Sequence, residues 1–82
     1  MRRFVVLFLL VVGTLWGAVN INTASVDELM TIKGIGRKKA EAIIAYRTKN
    51  RGFRSKEELM VVRGIGPKLF KKIKDQIELE GP

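Results

Sequence analysis

The stretch "KGIGRKKA" (Lys33–Ala40) returns thirty residues later as "RGIGPKLF" (Arg63–Phe70). Each copy sets two glycines around an isoleucine, with a cation in front and cations behind. Glycine admits the backbone angles that a sharp reversal needs. Pro67 suits the first position of a helix, where its missing N–H costs nothing. Each copy therefore reads as a tight turn that feeds a helix.

The copies belong to a longer repeat. "SVDELMTIKGIGRKKAEAI" (Ser25–Ile43) aligns without gaps on "SKEELMVVRGIGPKLFKKI" (Ser55–Ile73), with Ser25/Ser55, Glu28/Glu58, Leu29/Leu59, Met30/Met60, Lys38/Lys68 and Ile43/Ile73 identical beside the glycines. Ser25 and Ser55 are expected N-caps, and Glu28 and Glu58, three residues on, are their capping-box partners. The first helix of each repeat should end near Thr31 and Val61, and the second helices should span about residues 37–49 and 67–78. Leu69, Phe70, Ile73 and Ile77 form a helical apolar stripe, as do Ala40, Ile43 and Ile44. Asn50–Phe53 is the connector, with Gly52 as helix stop.

No segment shows strand-like alternation, so the expectation is an all-α domain of four main helices with repeats at about 25–49 and 55–79. Its core should contain Leu29, Ile32, Ile35, Ala40, Ile43, Ile44, Phe53, Leu59, Val62, Ile65, Phe70, Ile73 and Ile77. Neither repeat buries its apolar face alone. Tyr46, Met30 and Met60 are assigned to the core or its edge.

Ahead of the repeats the chain is different. Met1–Arg3 is basic, "FVVLFLLVV" (Phe4–Val12) is continuously apolar, and "GTLWGA" (Gly13–Ala18) supplies small residues. That is the layout of a signal peptide. The apolar run through Val19 is short for a spanning helix, which needs about 20 residues. Residues 1–18 are thus expected to be a signal peptide, with an uncleaved membrane anchor over 4–19 as the alternative. Either way Arg2 and Arg3 favour the cytoplasmic side, and residues 19–82 are expected outside it, as a periplasmic or extracytoplasmic domain. A retained anchor would bring any ligand of the domain near the bilayer, which favours cleavage.

The 82 residues carry 16 Lys+Arg against 8 Asp+Glu, a net charge of +8. Without residues 1–17 there remain 14 cations against the same 8 acids. A small basic domain points to a polyanion. The chain has no Cys and no His, which excludes disulfides and cysteine-based zinc sites and removes most hydrolytic and metal chemistry. The reading is of a binding protein, with no cofactor, metal or catalytic residue.

The cations are oddly placed. The first and third helices open Val26-Asp27-Glu28 and Lys56-Glu57-Glu58, net negative, as the helix dipole favours. The second and fourth open Arg37-Lys38-Lys39 and Pro67-Lys68-Leu69, and each such cation costs a few tenths to about 1 kcal/mol. A local rule broken only at the two helices that follow Gly-Ile-Gly marks a functional site. An anion would complete it: free N–H groups of turn and helix converge there, glycine admits a phosphate oxygen, and the cations add charge. Two copies would hold two phosphates, as a duplex backbone presents them. A turn with merely solvated cations is the bland alternative, which the second copy at identical spacing disfavours. Neither "GIGRKK" nor "GIGPKL" fits a nucleotide-binding glycine motif.

At these residues the chain resembles tandem helix-hairpin-helix proteins. From "NINTAS" (Asn20–Ser25) through "FRSKEELMVVRGIGPKLFKKIK" it closely resembles the ComEA family of competence DNA receptors, over about residues 19–79, in a short periplasmic form. The resemblance implies a tandem helix-hairpin-helix fold, SAM-like and RuvA C-terminal-like. It implies sequence-independent binding of double-stranded DNA across the minor groove, as a receptor for DNA uptake in natural transformation. Channel and pilus components would be further partners. Backbone binders carried over are Gly34, Ile35, Gly36, Gly64, Ile65 and Gly66. Side-chain binders are Lys33, Arg37, Lys38, Lys39, Arg63 and Lys68, with Lys71 and Lys72 as lesser candidates. Arg37 stands where such hairpins often have proline, and Phe70 replaces Ala40, which should space the second helix pair more widely. Rival readings are an exported protein-interaction module, extracellular DNA binding unrelated to transformation, and an enzyme fragment; absent histidine and a missing second domain count against the last.

Overall fold

The computed structural model describes residues 18–79. The apolar leader of residues 1–17, with its expected processing or anchoring, lies outside them.

The first repeat begins as its sequence dictates. The helix α1 (Val26–Leu29) is capped by Ser25, whose Oγ accepts from the Glu28 amide at 3.1 Å, while the Glu28 carboxylate accepts from the Ser25 amide at 2.8 Å. After the turn, α2 runs Arg37–Asn50. It is stopped by two successive left-handed residues, Arg51 (φ 61°) and Gly52 (φ 101°), and the Gly52 amide returns to the Arg47 carbonyl at 2.8 Å.

The second repeat departs from its twin. Residues Lys56–Val61 form a 3₁₀ helix, and Ser55 makes no side-chain cap. The reason is the fate of Glu58. Its amide donates to the Ser55 carbonyl at 3.2 Å, the i→i+3 bond of a 3₁₀ turn, and so is not offered to the Ser55 hydroxyl, while its carboxylate accepts from the Tyr46 hydroxyl at 2.5 Å and from the Arg54 amide at 2.7 Å. Next, α3 (Pro67–Ile73) continues as a 3₁₀ turn over Lys74–Gln76, shorter than the expected helix to residue 78.

A small strand pair corrects the all-α expectation. β1 (Val19–Asn20) pairs in parallel with β2 (Ile77–Glu78), Val19 opposite Ile77 and Asn20 opposite Glu78. Two-residue strands are too short to show alternation in sequence. Asn22 fastens them to the connector: its amide nitrogen donates to the carbonyls of Phe53 and Leu79, both at 3.1 Å, and its oxygen accepts from the Phe53 amide at 2.6 Å.

The expected core is buried, except that Ile44 is only half-buried. Ile21 and Ala24 join it from ahead of the first repeat. Tyr46 is half-buried and stacks on Phe53, with ring centroids 4.9 Å apart. Met30 and Met60, assigned to the core or its edge, are exposed, at 38% and 37%; each follows the buried leucine of its short helix and is turned about 100° away from it.

Candidate functional site

The two Gly-Ile-Gly turns have one design, in which the two glycines play different parts. The first glycine of each is held by the fold. Gly34 and Gly64 have φ of 104° and 96°, where side-chain-bearing residues are strained. Each also packs against the other repeat. A Cβ on Gly34 would stand 2.9 Å from Cδ1 of Leu69, and one on Gly64 would stand 3.5 Å from Cγ of Lys39. The two turns are thus interleaved, each touched by the first turn of the helix that leaves the other.

The second glycine of each is not required by the fold. Gly36 (φ −92°, ψ −173°) and Gly66 (φ −97°, ψ −176°) are extended, a conformation open to any residue. A Cβ on either would meet nothing within 4 Å. Both are helix N-caps, where Ser, Thr, Asp or Asn would satisfy an orphan amide, and glycine leaves that amide free. The first intrahelical bonds are Ala40 N to Gly36 O and Phe70 N to Gly66 O, both 2.9 Å. The amides of Arg37, Lys38, Lys39, Lys68 and Leu69 precede them and have no partner among the described residues.

The other expected contributors divide by geometry. The amides of Ile35 and Ile65 donate to Ile32 O and Val62 O, at 3.0 and 3.1 Å, and their side chains are buried. Both isoleucines therefore close and anchor the turns and are not free donors. The Lys33 amide donates to Oε1 of Gln76 at 3.2 Å, which leaves only its side chain for a ligand. Lys33, Arg37, Lys38, Arg63 and Lys68 are exposed around the turns, and Lys39 is half-buried. Lys71 and Lys72 are exposed one helical turn further along α3, beyond the open amides. Arg37 lies 3.9 Å from Glu41 with both side chains more than half exposed, a contact of little worth. It is the sole ion pair among the described residues, so the cations around the turns are otherwise uncompensated.

Tyr46 and Glu58 form the one clearly perturbed titrating pair among the described residues. The Tyr46 hydroxyl bond holds the Glu58 carboxyl below its ordinary value, helped by the Arg54 amide, and the same bond raises the Tyr46 phenol. The pair joins the two repeats. Sequence reasoning missed this link, Gln76 and the Asn22 fastening, since all three join positions distant in sequence.

Sequence comparison places the chain among known proteins. A family model described as the helix-hairpin-helix motif matches residues 16–78. ComE operon protein 1 of Bacillus subtilis is 53% identical over 62 residues, which cover 76% of this chain and 30% of that protein. An uncharacterized protein of Haemophilus influenzae is 47% identical over 59 residues, covering 71% of this chain and 53% of that one. The chain thus spans about half or less of the length of these relatives. With two interleaved turns of this kind and a match over most of its length, the chain belongs to the helix-hairpin-helix family, in its ComEA-like form.

Proposed function

We propose that the domain binds double-stranded DNA without regard to sequence, by gripping two backbone phosphates at the Gly-Ile-Gly turns. The observation that carries this reading is the pair Gly36 and Gly66. Neither backbone angle nor packing calls for glycine there, and a capping side chain would improve each helix. A ligand that comes close to the backbone explains both. The open amides behind each glycine suit an anionic oxygen, and the cations, unpaired but for the weak Arg37–Glu41 contact, supply charge. A phosphate would satisfy amides and cations together and relieve the dipole conflict at both helix starts. Contacts of this kind fix position on a duplex and carry no sequence information.

In this reading Arg37, Lys38, Lys68, Lys33 and Arg63 supply the charge, with Lys71 and Lys72 reaching outlying phosphates. The protein acts by holding DNA and performs no chemistry on it. Kinship with ComE operon protein 1 supports a role in DNA uptake during competence. The receptor would stand outside the cytoplasmic membrane, capturing DNA that a channel or pilus machine moves.

The test is duplex binding by the full-length chain, titrated in salt, beside a Lys38→Glu/Lys68→Glu variant. With about four phosphates neutralised, affinity should fall roughly a hundredfold between 50 and 200 mM salt, and the variant should lose both the affinity and the steep slope. Specific and scrambled duplexes should bind within about tenfold of each other. Weak binding indifferent to the variant would make the turns plain connectors and bring a protein-docking role forward.

A further inference from the structure

We infer that Lys39 serves the second turn and not its own, so that the second phosphate site is built from both repeats. The inference rests on the phosphate reading above and assigns one of its cations. Lys39 leaves the first turn of α2, and its stem lies across Gly64: a Cβ there would stand 3.5 Å from Cγ, 4.0 Å from Cδ and 3.6 Å from Cε. Nζ is one bond beyond Cε, so the charge is delivered beside the second turn. No carboxylate or carbonyl pairs with it among the described residues.

The counterpart position shows the same crossing without the charge. Leu69 occupies in the second repeat the place of Lys39 in the first, and its Cδ1 approaches Gly34 as the Lys39 stem approaches Gly64. At Gly34 the absent Cβ matters twice, since it permits the turn and makes room for Leu69; at Gly64 it permits the turn, and the Lys39 stem rests beside it at ordinary contact distance. One turn is crossed by a purely apolar side chain, and the other by a stem that ends in an ammonium.

The consequence is a balanced grip. By sequence, Lys33, Arg37, Lys38 and Lys39 surround the first turn, and only Arg63 and Lys68 the second. Reassigning Lys39 gives each turn three. The half-buried stem already lies against Gly64, so less side-chain freedom is lost on binding than for a fully exposed lysine.

The experiment is a double-mutant cycle on duplex-DNA affinity at low salt, using the full-length chain. Lys39→Met keeps an apolar stem and removes the charge. It should weaken binding about three- to tenfold and lower the salt slope by about 0.9, with Tm unchanged, while Lys39→Arg retains binding. A phosphate released by one cation is held less well by its other cation, so cations on one phosphate couple. The losses from Lys39→Met and Lys68→Met should therefore combine to clearly less than their product, while those from Lys39→Met and Lys38→Met should multiply. Coupling to Lys38 in place of Lys68, coupling to neither, or an unchanged salt slope would overturn the assignment and leave the phosphate reading standing. A wild-type chain without salt-dependent duplex binding would overturn the phosphate reading itself, before any variant is made.

Discussion

Successive helices of this small domain start under opposite rules. At the start of α1, Ser25 and Glu28 satisfy each other's amides, and Asp27 and Glu28 complement the dipole. At the start of α2, Gly36 offers no cap, and the first turn holds three cations and no acid. The start of α3 repeats the second pattern, with Gly66 and Lys68. The first kind of start is completed by the protein. The second kind is left open within the protein, at a cost in stability, and in the proposed function a phosphate completes it. Each Gly-Ile-Gly turn repeats the contrast at closer range, with its first glycine fixed by the fold and its second left free.

The largest test of that contrast in stability is Gly34→Ala. A methyl group there meets Leu69 and sits at a strained φ, so chemical denaturation should show a loss of about 2–4 kcal/mol. Gly36→Ala has neither problem and should change stability by less than about 1 kcal/mol. Equal losses at the two glycines would erase the distinction between them.

Ser25→Ala comes next. It removes one half of the capping box and should cost about 1 kcal/mol with duplex affinity unchanged, since that helix start is completed within the protein. Ser55→Ala should cost markedly less, because Ser55 makes no cap bond. A matching loss at Ser55 would mean that the second repeat is capped like the first.

The smallest effect concerns the Tyr46–Glu58 link. The Glu58 carboxyl is held below its unfolded value, so its contribution is present above the ordinary glutamate range and is lost as pH falls through the lowered folded value. Tyr46→Phe should flatten the acid limb of a stability-against-pH curve while leaving DNA affinity intact. An unchanged acid limb would show that the bond does not link the repeats in solution.

Much of this is legible in the sequence, and the gaps have physical causes. The repeat, the turns and most of the core follow from local pattern, because helical periodicity and Gly-Ile-Gly are encoded within a few residues. The second capping box fails because the segment winds as a 3₁₀ turn, in which the Glu58 amide bonds the Ser55 carbonyl and not its hydroxyl, a difference that identity with Ser25 and Glu28 does not reveal. The strand pair is invisible because it joins the two ends of the domain through two residues each. At the candidate site, the sequence nominates residues but does not show their different geometries. Gly34 and Gly36 look alike on paper and differ only in φ and in what stands beside them. Ile35 and Ile65 read as backbone donors, yet their amides are used inside the turns. Lys39 reads as part of its own turn, and only the contact with Gly64 places it at the other.

The central claim is that Gly36 and Gly66 are kept for a ligand and not for the fold. Gly36→Asp/Gly66→Asp tests it most directly, with thermal unfolding and duplex affinity measured on the same sample. Asp is a good N-cap and an acid at a helix start is favourable. The variant should therefore unfold at the same or a higher temperature while losing at least about a hundredfold in affinity, since each carboxylate would occupy a phosphate site. A less stable variant, or one that binds duplex DNA as well as the parent, would contradict the claim.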